Sequence, residues 1–353
     1  MKCQPTQTPD TVDIPSLKEK YRQEREKRLR SDHQQQYLRP AGRKVSDYEA
    51  DPYMPVAPRA ALSEDIDVAV LGGGFTGILA SVHLRKAGIT SFRNIEHAGD
   101  FGGVWYWNRY PGIQCDNESY CYLPLLEETG FVPTKRFSDG VEIQNHCVRI
   151  ARQFGLYDHA LFHTRVRSLR WDDAIKRWHV STDRGDSLRA RFVVMAGGPL
   201  NRPKLPGIPG LQDFRGTVFH SARWDYGTTG GSWEQPVLDK LADKRVAVIG
   251  TGASAIQFVP EIAPVAAHVT LFQRSAPYVV PKPDRTYAAW EKRLFVRSPR
   301  LHDVARRGVF HLSEQLNKTL DSDGRLADLL HKAWQLHLRR QIKDPALRAN
   351  RLA

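Results

Sequence analysis

Residues 66–77 read IDVAVLGGGFTG, a short apolar run that passes directly into glycines. Such a run is typical of a strand buried in a parallel sheet, and the Ala- and Leu-rich residues 77–86 predict a helix behind it. Gly72 permits the tight turn, Gly74 lets the backbone approach a pyrophosphate, and Gly77 lets helix and strand pack closely. The stretch therefore predicts an α/β fold that contains a dinucleotide-binding βαβ unit.

An acidic residue follows this unit at the expected distance. Glu96 comes 19 residues after Gly77 and ends the next predicted strand. A carboxylate at this place binds a ribose 2′-hydroxyl, while the N-terminus of the helix, which includes Thr76, offers N–H groups to phosphates. The alternative is a glycine-rich turn in an ordinary α/β fold.

The same pattern returns at residues 245–258, which read RVAVIGTGASAIQF and precede another predicted strand at 268–272. Gly250, Gly252 and Ala255 take the three fingerprint positions, since alanine is permitted at the third. The chain therefore contains the strand–glycine–helix pattern twice.

The second unit differs from the first in charge. The residue 19 positions after Ala255 is Arg274, and the equal spacing predicts that it is equivalent to Glu96. A guanidinium can hold a 2′-phosphate that a carboxylate would repel. The first unit therefore suits a dinucleotide with a free 2′-hydroxyl and the second suits NADP(H), although Arg274 could also be a surface arginine at a strand end.

Two dinucleotide sites in one chain indicate FAD that is reduced by NADPH and then passes its electrons to a disulfide or to oxygen. Cys115 and Cys121 have five residues between them, whereas redox disulfides typically have two or four. Oxygen is therefore the favoured acceptor.

Composition agrees with a globular protein of about two domains with extensions. The chain has 353 residues, of which 41% are hydrophobic and 26% charged, and no apolar run approaches the roughly 20 residues of a membrane span. The four cysteines do not form a disulfide or zinc pattern, so we expect a cytoplasmic protein without a membrane partner.

The net charge of +13 does not by itself indicate nucleic acid. After residue 284 there are 15 Lys and Arg against 7 Asp and Glu, in a segment with apolar residues at helical spacing. Amphipathic helices with solvated charged faces explain this charge, and no nucleic-acid partner is expected.

The remaining pattern predicts a solvated helix at 18–30 and a loop region between about 101 and 130. Further predicted elements are a helix at 141–154, strands at 163–171, 178–183 and 188–196, and helices after residue 281.

Two further motifs carry a resemblance. Residues 214–225 read FRGTVFHSARWD and resemble the Baeyer–Villiger monooxygenase fingerprint FxGxxxHxxxW followed by Pro or Asp. Residues 102–112, GGVWYWNRYPG, resemble the flavin-side loop of the same family. The similarity runs from about Asp67 to the C-terminus.

The resemblance implies two Rossmann-like domains, an FAD domain and an NADPH domain inserted into it. It implies a flavin reduced by NADPH that forms a C4a-peroxide with O2, which converts a ketone substrate into an ester or lactone. The domains expected from it are an N-terminal extension and linker (1–60), the first portion of the FAD domain (61–205), a linker with the fingerprint (206–230) and the NADPH domain with its basic helical part (231–353).

The resemblance also implies site residues. Catalytic roles are implied for Asp116, which orients an arginine beside the flavin in the family, and for His220, which could instead be a core or helix-capping histidine. FAD contacts are implied for Gly72, Gly74, Thr76, Gly77, Glu96, Gly102, Gly103, Val104, Trp105, Asp116 and Tyr122. NADP(H) contacts are implied for Gly250, Thr251, Gly252, Ala253, Ser254, Ala255, Ile256, Gln257, Arg274 and Ser275.

The family's catalytic arginine has no matching motif before Ala353, and the FAD sheet is expected to be incomplete, with apolar faces uncovered. Two alternatives to a Baeyer–Villiger enzyme are kept. The first, a non-catalytic nucleotide-binding or partner-dependent protein, is favoured by the missing arginine; the second, a flavin N- or S-oxygenating enzyme, is disfavoured by Trp224 and Asp225 after His220. The extended N-terminus and residues 123–130 resemble branches that act on large-ring or steroid-like ketones. The pattern does not predict an oligomeric state.

Overall fold

The computed structural model describes residues 14–28, 37–38, 48–200, 202–274, 282–320 and 325–344. Two compact bodies are distinguished, a small one of residues 1–47 and 203–218 and a large one of residues 48–202 and 219–353. In the small body, helix α1 (Ile14–Arg28) carries exposed ion pairs from Arg22 to Glu19 and Glu26, both 2.6 Å. The predicted solvated helix is thus confirmed over its described residues. A short antiparallel pair joins β1 (Tyr37–Leu38) to β8 (Leu205–Pro206).

A six-stranded sheet forms the centre of the large body, in the order β4-β3-β2-β7-β6-β5. Its strands are β2 (Ser63–Leu71), β3 (Phe92–Ile95), β4 (Ala160–Leu161), β5 (Val166–Asp172), β6 (Arg177–Thr182) and β7 (Ser187–Met195). Strands β4, β3, β2 and β7 run parallel, while β5, β6 and β7 form an antiparallel extension. The predicted strands are confirmed.

The sheet buries its apolar residues on both faces. On one face, Val68 and Val70 of β2 pack with helix α2 (Phe75–Lys86) and helix α6 (Gly140–Gln153). On the other face, residues of β2 pack against Val180 of β6 and Leu188 of β7. Because both faces are covered near β2, residues 68–71 can form a continuous apolar run.

Apolar side chains on the central strand β7 remain exposed at its end. Phe192 is 59% and Met195 70% exposed. This agrees with the expectation that part of the FAD sheet is uncovered.

A second βαβ unit lies in the same body. Strand β9 (Arg245–Ile249), helix α8 (Ala253–Ile262) and strand β10 (His268–Phe272) form a parallel two-stranded sheet with its helix. Its buried Phe258 and Ile262 share one apolar cluster with Trp105 and Tyr110 of the first half. The α/β class with two Rossmann-like units is confirmed.

The region between residues 101 and 130 is more ordered than predicted. It contains three single-turn helices, α3 (Val104–Trp107), α4 (Ser119–Tyr122) and α5 (Leu126–Thr129). The loop prediction was wrong here because buried aromatic side chains such as Tyr106 fix turns that are too short to give a helical period.

The large body is completed by α7 (Tyr226–Thr229), α9 (Ala289–Arg297), α10 (Arg300–Leu320) and α11 (Arg325–Gln341). Arg306 of α10 pairs with Glu127 at 2.7 Å and thereby attaches α10 to α5. The predicted helices after residue 281 are confirmed over the described residues. Among the helices that the structure describes, none combines the length and apolarity needed to cross a bilayer.

Candidate functional site

A cavity of about 810 Å³ lies at the carboxyl ends of β2, β3 and β7. This is where open α/β sheets bind nucleotides, and the volume is in the range of small-molecule sites. Nine of the residues predicted to bind FAD line it: Gly72, Gly74, Thr76, Glu96, Gly102, Gly103, Val104, Trp105 and Tyr122.

Glycines at the cavity floor allow backbone to approach backbone. Gly72 has φ +118°, and a Cβ there would overlap the carbonyl of Ala196. A Cβ on Gly103 would come within 2.8 Å of the Gly74 Cα atom. Gly77 lies behind the turn, where a Cβ would overlap the Gly72 carbonyl, so its role is the close helix–strand packing.

The N-terminus of α2 opens into this cradle. Gly74 is its N-cap residue and provides no side chain to cap the first N–H groups, while Phe75 and Thr76 line the cavity. Unsatisfied N–H groups with the partial positive charge of a helix end suit a pyrophosphate. The residues present therefore fit a dinucleotide.

Glu96 lines the cavity and is fixed by backbone hydrogen bonds. It is 6% exposed, and it accepts hydrogen bonds from the backbone N–H of Gly73 and, at 2.7 Å, from that of Ala98. Burial raises the pKa of its carboxyl, an effect opposed by these N–H donors. A fixed acceptor at the end of β3 is suited to a ribose hydroxyl.

A further group of lining residues is aromatic. The Trp105 indole N–H donates to the Tyr122 hydroxyl at 2.8 Å, and Phe75 packs 5.3 Å from the Tyr122 ring. Burial raises the pKa of Tyr122 to about 12, so its hydroxyl keeps its proton. This wall is suited to a planar ring system.

Asp116 lies on an exposed loop and is not among the described residues that line the cavity. Its carboxylate contacts the Lys282 ammonium at 3.2 Å, and Lys282 also donates to the Cys115 carbonyl at 2.8 Å. Sequence reasoning missed Lys282. Its 166-residue separation from Asp116 gives no local signal.

His220 caps a 3-10 turn at Ser221–Arg223. Its Nδ1 accepts from the Ala222 N–H at 3.0 Å, and its own backbone N–H donates to the Tyr48 hydroxyl at 2.7 Å. Burial lowers the pKa of His220 and thereby favours the neutral ring. Because Nδ1 accepts a hydrogen bond, the proton of the neutral ring lies on Nε2. The helix-capping alternative therefore describes a real contact, and the catalytic role stays a prediction.

The turn of the second unit has the same backbone conformation as the turn of the first unit. Gly252 has φ −74° and ψ −176°, close to φ −77° and ψ −173° at Gly74, and each is the N-cap residue of its helix. Gly250 also has a positive φ, +102°. Among the described residues, no atom lies within 4 Å of a Cβ built on Gly250 or Gly252, so this turn faces open space.

The strand register corrects the predicted equivalence of Arg274 and Glu96. Gly72 donates to the Ile95 carbonyl and Gly250 to the Phe272 carbonyl, both at 2.9 Å. Gln273 is therefore the equivalent of Glu96, and Arg274 is exposed one residue further on. From the turn glycine to the end of the next strand the second unit is one residue shorter, because α8 has 10 residues where α2 has 12, and β10 has 5 where β3 has 4. Equal counting could not reveal this. Ser275 lies outside the described residues.

The other predicted NADP(H) residues separate into two groups. Gly250, Thr251, Gly252, Ala253, Ser254 and Ile256 are exposed or half-buried at the turn and first helical turn, while Ala255 is buried. Gln257 instead faces the flavin-side loop: it accepts from the Tyr110 hydroxyl at 3.0 Å and donates to the Gln114 carbonyl at 2.7 Å. Gln257 thus connects the two halves of the site.

Comparisons with known proteins, by sequence and by fold, find monooxygenases as relatives. The chain is 49% identical over 263 residues to a Baeyer-Villiger monooxygenase of Streptomyces coelicolor, covering 74% of this chain and 43% of that one. Its fold matches a polycyclic ketone monooxygenase of Thermothelomyces thermophila with a TM-score of 0.74 and 38% identity, covering 81% of this chain and 48% of that one. It also matches OTEMO, solved in complex with FAD and NADP, with a TM-score of 0.60 and 32% identity, covering 66% of this chain and 43% of that one.

Fold, paired glycine turns and cavity define an α/β protein with two dinucleotide-binding units. The flavin-binding monooxygenase-like family matches residues 65–323, and the chain belongs to this family. The resemblance to Baeyer–Villiger monooxygenases is confirmed by the named relatives. The chain spans less than half the length of each of these three relatives.

Proposed function

We propose that this chain is the cofactor-binding part of an FAD- and NADPH-dependent Baeyer–Villiger monooxygenase. Such an enzyme inserts one oxygen atom of O2 beside a ketone carbonyl and gives an ester or lactone. The observation that carries the proposal is the convergence of nine predicted FAD residues on one cavity of a protein that also contains the monooxygenase fingerprint.

FAD supplies the redox and oxygen chemistry when it is bound. The chain's own residues would bind and orient it: the N-terminus of α2 would take the phosphates, Glu96 would hold the ribose, and Trp105 with Tyr122 would contact the ring system. The open turn at residues 250–256 and Arg274 would hold NADPH, whose phosphate needs a cation. We also propose the predicted domain boundaries, with an FAD domain at 61–205, a linker at 206–230 and an NADPH domain at 231–353.

Two further residues are proposed to support catalysis, Asp116 by orienting a cation and His220 on the linker that couples domain motion to catalysis. Asp116 fixes the Lys282 ammonium at its side of the loop, and a fixed cation stabilises negative charge that develops nearby. His220 presents a neutral ring because its Nδ1 is engaged by the Ala222 N–H.

The proposed substrate is a bulky ketone. A relative of similar fold is named as a polycyclic ketone monooxygenase. The extended N-terminus and residues 123–130 resemble branches that act on large-ring or steroid-like ketones. Cyclohexanone and a steroid-like ketone make a discriminating pair of substrates.

A non-catalytic nucleotide-binding role is the second candidate. It is favoured by the exposure of Asp116, which lies outside the described lining of the cavity and is paired with Lys282. The two candidates differ in whether a bound flavin is reduced and re-oxidised with product formation.

The test uses the purified chain. We expect a yellow protein whose flavin absorbance bleaches on anaerobic addition of NADPH and returns with O2, with ester formed from the bulkier ketone. A colourless protein that still binds NADPH would support the non-catalytic candidate, and a protein that binds neither nucleotide would contradict both.

A further inference from the structure

Arg223, inside the fingerprint segment, is a buried cation in an unusual setting. It is 6% exposed, and among the described residues it has no carboxylate within ion-pair distance. Its Nη atoms donate to the Ala222 carbonyl at 2.8 Å and the Tyr48 carbonyl at 3.2 Å, while its buried Nε has no partner among the described residues. Burial lowers its pKa to about 10, so it remains charged at neutral pH.

The guanidinium lies against an aromatic ring. Its central carbon is 3.8 Å from the centroid of Trp107, within cation–π distance. Trp107 also stacks on His97, with centroids 5.0 Å apart and planes at 26°. His97 in turn is bonded to the Glu49 carbonyl at 2.9 Å.

The residues that contact Arg223 directly or through Trp107, apart from Ala222, belong to the cavity wall. Tyr48, Glu49, His97 and Trp107 line the cavity, whereas Arg223 is not among its described lining residues. His97 directly follows Glu96, the residue suited to the ribose, so this part of the wall borders the adenosine end of a bound dinucleotide. Arg223 therefore supports the cavity from behind.

We propose that Arg223 is a positioning residue for the adenosine half of FAD. It holds Trp107 through its guanidinium face and the Tyr48 segment through a hydrogen bond, and it thereby fixes the wall beside Glu96. The fingerprint segment thus contributes to cofactor affinity on the Glu96 side of the cavity. This inference rests on the proposed function, because it requires FAD in this cavity.

The test measures dissociation constants of FAD, AMP and FMN for the apoprotein. AMP carries only the adenosine half and FMN only the flavin half. For Arg223→Met we expect FAD and AMP to bind about tenfold more weakly, since a desolvated cation–π contact is worth about one such factor, and FMN to bind unchanged. Arg223→Lys, which retains the charge, should restore part of the affinity for FAD and AMP.

Arg149→Met is the matched control, because Arg149 lies 4.6 Å from the Phe131 ring and neither residue is among the described residues that line the cavity. It should leave all three constants unchanged. If Arg223→Met does not fold, Trp107→Phe reduces the same stack from the cavity side and should show the same selectivity between AMP and FMN.

Two results would overturn the inference while leaving the proposed function intact: unchanged affinities for FAD and AMP in Arg223→Met, or an equal weakening of FMN, which would indicate general loss of packing. Failure of the unmodified chain to bind FAD at all would overturn both.

Discussion

The first βαβ unit (residues 63–95) and the second (residues 245–272) use the same hydrogen bond from a turn glycine to the neighbouring strand, but differ in what covers the strand ends. In the first, Leu71 is 7% and Ile95 3% exposed; their equivalents in the second, Ile249 and Phe272, are 57% and 55% exposed. The same backbone motif thus has buried strand ends in the first unit and exposed strand ends in the second. The enclosed setting suits a resident cofactor, and the open one suits a coenzyme that enters and leaves in each cycle.

The two strand ends also differ in charge. The first has the buried carboxylate of Glu96, while the second has Gln273 at the equivalent place and the exposed Arg274 beside it. On the proposed function, the common turn binds the dinucleotide phosphates, and the residues just after the second strand select the dinucleotide.

The largest expected effect concerns packing behind the turn. Gly77→Ala places a methyl group on the Gly72 carbonyl, and we expect the free energy of unfolding to fall by about 3 kcal/mol, as in strong overpacking. The equivalent Ala255 already carries a methyl group, so Ala255→Gly should cost only about 1 kcal/mol of helix propensity. Urea denaturation of both variants measures the difference, and equal losses would contradict the distinction between the units.

The next effect concerns Glu96. Glu96→Gln replaces an acceptor by an amide whose NH2 group cannot accept from the Gly73 N–H or a ribose hydroxyl. We expect FAD affinity to fall by about 100-fold, the value of a lost charge-assisted hydrogen bond. Titration of the apoprotein with FAD measures it. As a control, Asp67→Asn removes a carboxylate from the neighbouring strand β2 and should leave FAD affinity unchanged. A similar loss of affinity in both variants would argue against a specific role of Glu96.

A pH effect distinguishes the packed half from the open one. His146 on α6 is fully buried and donates from Nε2 to the Pro124 carbonyl at 2.7 Å, and burial lowers its pKa to about 4. Since the unfolded chain takes up the proton near pH 6.5 and the folded chain resists it, stability is lost as pH falls below 6.5. Between pH 7 and pH 5 the loss from this group is about 2 kcal/mol.

Urea midpoints at the two pH values measure this loss. His146→Gln, which can keep a donor for the Pro124 carbonyl, should show a loss smaller by this amount. His268, at the start of β10, is exposed, and His268→Gln should retain the full loss. An unaltered pH dependence in His146→Gln would show that other groups cause it.

Much of the cavity could be predicted because its residues follow strands directly in the chain. The turn at Gly72–Gly77 and the acid at Glu96 are local patterns with local geometric meaning, whereas the loop at Gly102–Trp105 was predicted from the family resemblance. The partners of Asp116 and Gln257 could not be predicted, because Lys282 and Gln114 meet them only after the chain has folded. The one-residue offset of Arg274 depends on the lengths of helix α8 and strand β10, whose exact ends have no residue signature.

The most direct test of the two-site account is coenzyme preference. Binding of NADPH and NADH is compared in the unmodified chain, in Arg274→Gln, and in Arg245→Gln, which changes an exposed arginine at the opposite end of β9. We expect the unmodified chain and Arg245→Gln to prefer NADPH, and Arg274→Gln to lose about tenfold in NADPH affinity with NADH unchanged, as for loss of a charge-assisted phosphate contact. An unaltered preference in Arg274→Gln would contradict the assignment of the second unit to NADPH.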